Sequence, residues 1–260
     1  MKAFIVLPFL LFNLFIFSNG LTQITDILQI DSELTFLYQN LEKRKSDDVI
    51  NAPIFSQKLL FHLKNPITFE HKLDSLAKCI KIISSPDNLV KFYSWDSQED
   101  GTWHTIEAVA QFKNKSGETV IKSLITNSNK GAIDFSDSEI YEVNEYFFEG
   151  KNYYVTFGGG THGSGMQHTN VQIFNFENDS LIKCTSCFSN NLDLIIEYPR
   201  GDKINLTFDE KTKTISYSEV KNFEDQRFYG RPSKKIVKLK LKKGVYKYPY
   251  SMKKTIKNLN

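Results

Sequence analysis

Asn152 to Phe176 reads NYYVTFGGGTHGSGMQHTNVQIFNF, and the architecture of the chain turns on whether a helix or a strand comes after its glycines. Gly158, Gly160 and Gly163 satisfy the G-x-G-x-x-G spacing of a dinucleotide-binding turn, and a strand candidate, Asn152 to Phe157, precedes them. Such a turn holds pyrophosphate only when a helix comes next, because the helix N-terminus supplies the amide donors. Thr169 to Phe176 reads as strand, so a nucleotide site is rejected and the stretch is an antiparallel hairpin. Gly163-Ser164-Gly165 is no nucleophile elbow either, since it lacks a residue on each side of the serine and a following helix. The glycines are expected to form a flexible hairpin loop between Asn152 to Phe157 and Met166 to Phe176. The functional alternative is a mobile loop over a binding face, where glycine lets backbone amides approach a ligand closely.

Outward from the hairpin the same language continues. Leu89 to Trp95, Trp103 to Phe112, Glu118 to Ile125, Glu139 to Phe148, Leu192 to Tyr198, Lys203 to Phe208, Thr214 to Val220 and Lys234 to Leu241 are strand candidates. They are punctuated by Gly, Asn, Asp and Ser rather than by helical segments, which predicts antiparallel meanders. From Leu21 to about Ser85 the pattern is helical. Ile24, Ile27, Leu28, Leu34, Leu37, Tyr38 and Leu41 recur mostly at three- and four-residue steps. Pro53 opens a second helix carrying Leu59, Leu60 and Leu63, and Thr68 caps a third that runs through Leu73, Leu76, Ile80 and Ile83. The expected fold is therefore α+β and mainly β. A helical segment over 21–85 precedes an antiparallel β-rich domain over 86–260, built as a sandwich, a barrel or a partial propeller.

Residues 1–20 read as a secretory signal peptide, with Lys2, an apolar run from Ala3 to Phe17, and small residues Ser18 and Gly20 at the cleavage end. The run is shorter than a bilayer span and is interrupted by Pro8 and Asn13, so no membrane span is expected after cleavage. The protein is expected to be secreted or periplasmic. With 40% hydrophobic and 13% aromatic residues the chain can bury a core, which excludes a disordered or fibrous class. A formal net charge of only +3 argues against a nucleic-acid binder.

Chemistry-bearing residues are few. His162 and His168 lie in the glycine-rich stretch, with Cys184 and Cys187 one hairpin later, so a two-Cys, two-His zinc site is conceivable. The histidine spacing is unusual and an exported protein meets oxidants, so a Cys184 to Cys187 disulfide is preferred, with no metal and no cofactor. Cys79 reads as a buried free thiol. Asp96, Glu99 and Asp100 stand in a turn between two strands, and His104 points to the opposite face from Trp103. Trp95, Asp96, His104, His162 and His168 are the candidate ligand-binding residues; no catalytic residue is assigned.

Ser84 to Asp96 reads SSPDNLVKFYSWD and is followed by Gly101-Thr102. This resembles a group of uncharacterised secreted bacterial proteins with an S-P-D turn, a Y-S-W-D strand end and a downstream G-G-T. Asp100 stands where the group carries the first of those glycines. The resemblance covers most of the chain beyond the leader and implies short helices before an antiparallel β region. It implies no activity.

The charge is unevenly placed. Residues 226–260 hold Arg227, Arg231 and ten lysines without an acid, a formal +12, whereas 21–225 carry a formal −10. Lys234 to Lys243 alternates Lys238, Lys240 and Lys242 against Val237, Leu239 and Leu241, giving a strand with one cationic and one apolar face. Such lysines either block edge-to-edge pairing or face a polyanion, and Tyr246, Tyr248 and Tyr250 beside them either stack on a ligand or cover the sheet. These features together predict an exported, non-catalytic protein that binds an unknown ligand, an anionic envelope component or glycan being the candidate. The alternative is a secreted hydrolase acting through the loop histidines and nearby carboxylates.

Overall fold

The computed structural model of the protein describes residues 26–41, 52–98, 104–124, 138–162, 165–189, 193–220 and 230–248. The expected leader at 1–20, together with Glu99, Asp100, Trp103, Ser164, Arg227 and Tyr250, lies outside the described residues, as does the side chain of His162. The chain divides into two compact units, Met1–Ile80 and Lys81–Asn260.

In the first unit, helix α1 covers 26–41, α2 is Ala52–Leu63 and α3 is Pro66–Glu70. Ile27, Ile30, Leu34, Tyr38 and Leu41 of α1 are all buried, one stripe at three- and four-residue spacing. Phe55, Leu59 and Leu63 form the matching stripe of α2, and the rings of Tyr38 and Phe55 meet edge to face at 5.0 Å. Glu33 ties the two helices from outside, 2.9 Å from Lys58 and 3.0 Å from His62. Asp31 is buried, and its carboxylate accepts from the amides of Ser75 at 2.9 Å and Leu76 at 2.8 Å, which satisfies the start of a 3-10 turn at Leu76–Lys78.

The expected third helix through Ile83 does not form. Asn65 caps α3 by accepting from the Ile67 amide at 3.1 Å, but the chain is already extended at His71. Lys81–Ser84 is strand β1. Its β-branched Ile82 and Ile83 pair with Tyr93 and Phe92 of β2, Val90–Asp96, so strand pairing overrides a helical spacing.

The second unit is three antiparallel meanders. The first continues from β1 and β2 to β3, Ile106–Lys113, and β4, Thr119–Ser123. The second runs through β5, Glu139–Phe148, β6, Lys151–His162, β7, Met166–Glu177, and β8, Ser180–Lys183, with β9, Leu194–Pro199, also paired to β7. The third is β10, Leu206–Asp209, β11, Thr214–Val220, β12, Pro232–Lys242, and β13, Val245–Tyr246. Tight turns make this succession possible. Glu149-Gly150, Asn178-Asp179 and Lys243-Gly244 each place two successive residues at positive φ, the two-residue hairpin geometry that matches strand twist.

The middle sheet has a core on each face. On one side Tyr154, Phe174, Ile140 and Val143 pack with Val90, Phe92, Ala110 and Phe112 of the first sheet. On the other, Val155, Phe157, Val171 and Ile173 pack with Leu194, Ile196, Ile215, Tyr217, Leu239 and Tyr246. The protein is thus α+β and mainly β, its β part a stack of meanders.

The glycine stretch is not a long flexible loop. Gly158, Gly159 and Gly160 lie inside β6, paired with Asn170, Thr169 and His168. Glycine is needed there for space: a Cβ on Gly158 would sit 2.8 Å from both Asn170 Oδ1 and Ser138 Cβ, and one on Gly159 2.9 Å from the His168 carbonyl. Gly158→Ala is therefore expected to cost about 1–3 kcal/mol through overpacking. Gly165→Ala, at φ +73 in open space, is expected to lose only about 1 kcal/mol through backbone strain. Urea unfolding of the two variants checks the order.

Candidate functional site

The sequence's candidate residues gather at two places in the second unit. At the end of β6 and β7, Ser138 Oγ and His168 Nε2 are hydrogen-bonded at 2.9 Å, with Ser138 2% and His168 6% exposed. Glu197 of β9 is directly opposite His168 on the same face of the sheet. Burial raises the Glu197 carboxyl above its ordinary range. Glu139, next to Ser138, is also raised, chiefly by burial, with Asp96 adding to the rise and Lys81 opposing it.

Asp96 ends β2, where one carboxylate oxygen accepts from the Gln98 amide at 2.8 Å and the other is paired with His104 Nδ1. The His104 amide donates to the Thr161 carbonyl at 3.4 Å, which joins this turn to the end of β6. Asp96 is thus bonded to His104 and His168 to Ser138. Trp95 is 1% exposed and offers no ring face to a ligand. A nucleophile needs access as well as a base, and the Ser138 hydroxyl is sealed inside the protein.

Cys184 and Cys187 lie at disulfide distance, with Cα atoms 5.5 Å apart. Their segment joins two sheets. The Tyr246 amide donates to the Cys187 carbonyl at 2.8 Å, the Ser189 amide donates to the Tyr246 carbonyl at 3.0 Å, and the Phe188 and Tyr246 rings meet at a tilt, 5.7 Å apart. Tyr246 and Tyr248 belong to this core, so they cover the sheet.

The second place is the outer face of β12. Val237, Leu239 and Leu241 turn inward against the core, while Lys238, Lys240 and Lys242 are exposed. On neighbouring β11, Ser216 is opposite Lys238 and Thr214 opposite Lys240, so small hydroxyls rather than carboxylates flank the lysines. Among the described residues none of the three forms an ion pair; Glu219 is taken by Lys235 at 2.6 Å. Alternate residues of a strand lie about 6.8 Å apart, which makes an evenly spaced cationic row. The alternation is legible in the sequence. The hydroxyl neighbours are not, because they depend on register.

No family model and no curated protein matches this chain. The cryo-EM structure of Morganella morganii TcdA4 is similar over 86% of this chain and 9% of its own, at 8% identity and a TM-score of 0.27. The chain thus spans under a tenth of that protein, and a likeness this distant adds nothing to the reading of the site.

Two outcomes are expected here. Because Glu197 has its folded pKa raised above the ordinary 4.5, ionising it opposes folding once the pH exceeds that value. Glu197→Gln should raise the melting temperature at neutral pH, and the gain should shrink as the pH falls below the unfolded glutamate value. Loss of the small loop closed by Cys184 and Cys187 should cost about 2 kcal/mol on the chain-entropy estimate, measured by urea unfolding of Cys184→Ser and of the parent with reductant.

Proposed function

We propose that the protein is exported and acts without catalysis, binding an anionic polymer or envelope surface through the lysine row of β12. The observation that carries this reading is the row itself: Lys238, Lys240 and Lys242 are exposed at alternate positions of one strand, with Ser216 and Thr214 opposite the first two and Val245 opposite the third. Lysines on a sheet face cost solvation only if something covers them, so an anionic partner that screens their mutual repulsion gains from the array. Export is supported by the apolar run at Ala3 to Phe17 and by a cysteine pair at disulfide distance, a state that persists in oxidising compartments. The hydrolase alternative has the Ser138 and His168 pair in its favour, but both residues are buried.

Binding to immobilised heparin at increasing salt tests the reading. Each lysine at an anionic surface contributes about 1 kcal/mol, so replacing Lys238, Lys240 and Lys242 with glutamine should weaken binding on the order of a hundredfold. The melting temperature should not fall, because all three side chains are outside the core. Unchanged salt elution of that variant would remove the row as the binding surface. Intact-mass analysis of protein recovered outside a secreting host checks export: loss of residues 1–20 and a gain of two hydrogens on reduction are expected.

A further inference from the structure

We infer that the anionic partner is a lipid bilayer, and that the protein meets it with the end of the second unit where three hairpin turns converge. This rests on the proposed anionic binding and names its source. Lys213, in the β10–β11 turn, donates from Nζ to the Phe147 carbonyl at 2.6 Å and lies 5.5 Å from the centre of the Phe148 ring. Its own carbonyl accepts from the Leu241 amide at 3.3 Å. A Cβ on Gly244, in the β12–β13 turn, would come 3.1 Å from Phe148. The tips of β5–β6, β10–β11 and β12–β13 are therefore in mutual contact, and Lys242, the last of the lysine row, is at that end beside Lys243.

Apolar surface is exposed at the same end. Phe147 is 62% and Leu89 52% exposed, and both line a hollow of about 300 Å³ whose other walls include Tyr154 and Phe176. Single exposed apolar residues are ordinary, but two large ones on one hollow beside lysines make an amphipathic tip. A hydrated polyanion can at most stack a sugar face on the Phe147 ring and offers no apolar phase that takes Phe147 and Leu89 together. A bilayer offers an anionic headgroup layer directly above an apolar phase, so it takes both features together. Acids share the tip: Glu149 is exposed, Glu177 holds Lys151 at 3.2 Å, and Asp209 and Glu210 flank Lys211. Asp87 and Glu145 lie there too, so the tip carries no large net charge. Apart from the flanked Lys211, its cations outside ion pairs among the described residues are Lys213, Lys242 and Lys243, and the apolar pair sets the point of entry.

This geometry predicts a gradient. Headgroup charge is screened within about 8 Å at physiological salt, so with the tip inserted Lys242 and Lys243 matter more than Lys238, which lies four residues back along the strand. A polymer laid along β12 would use Lys238 and Lys242 alike.

The test is co-sedimentation with phosphatidylcholine vesicles and with vesicles of phosphatidylcholine and phosphatidylglycerol in equal parts. Neutral vesicles measure what apolar contact contributes by itself. The parent should bind the mixed vesicles more tightly than the neutral ones. Phe147→Ser with Leu89→Ser should lower that affinity on the order of tenfold and leave heparin elution unchanged, since both side chains are exposed and their loss spares the core. Lys242→Gln with Lys243→Gln should weaken vesicle binding more than Lys238→Gln does. The lipid inference is overturned if the Phe147 and Leu89 variant binds mixed vesicles like the parent, or if the parent binds heparin but shows no preference for mixed vesicles. Failure to bind heparin and mixed vesicles alike would overturn the proposed anionic binding as well.

Discussion

Strands β6 and β7 have no solvent face along most of their length, and the rest of the second unit is built around that constraint. Tyr154 and Val155, adjacent in sequence, are both fully buried because each points into a different core. A sheet apolar on both sides must be covered on both sides, which is the usual condition of parallel sheets with helices on each face. Here the covers are two further antiparallel meanders. Each core joins different strands of the chain, so the middle sheet couples the outer two without their touching each other's core.

Polar groups fasten the layers where apolar packing alone would let them slide. The Ser94 hydroxyl accepts from the Ile140 amide at 2.8 Å, and the Tyr154 hydroxyl donates to Asp87 Oδ2 at 2.8 Å. Asp87 also organises its own turn, accepting from the Ser85 hydroxyl at 2.6 Å and the Leu89 amide at 3.0 Å. The Ser138 and His168 pair belongs to the same class of contact. It stands beside glycines that leave room for Ser138 and Asn170 to approach β6, so the feature most suggestive of catalysis is one that brings β5 and β7 close. Buried polar contacts of this kind fix register.

Charge is arranged differently from apolar surface. The acidic groups are spread over many strands, with several in ion pairs, as Glu177 is with Lys151 and Asp193 with Lys183. The cations of β12 are concentrated on one face of one strand. Lysines on a sheet border discourage strand addition, and under the proposed function the same row would meet the anionic partner. One strand thus packs through its inner residues and leaves its outer lysines exposed.

How much of this is legible in the sequence depends on the range of the interaction concerned. Strand periodicity, the Asn178-Asp179 turn and the two-faced β12 are written in residues within a few positions of one another, and so are readable directly. A third helix is suggested wrongly because Ile80 and Ile83 have helical spacing, while the β2 partners that make Ile82 and Ile83 strand residues lie about ten positions on. The glycine stretch misleads for the same reason, since local chemistry cannot show that Ser138 and Asn170 crowd Gly158. By itself the sequence determined the α+β, mainly β class, the cysteine pair and the cationic and apolar faces of β12, because these depend on composition and short-range spacing. Only the tertiary structure decided which strands share a core, that His168 is sealed against Ser138, and that three turns meet at Phe147, because contacts between distant segments depend on register and stacking that no local pattern encodes.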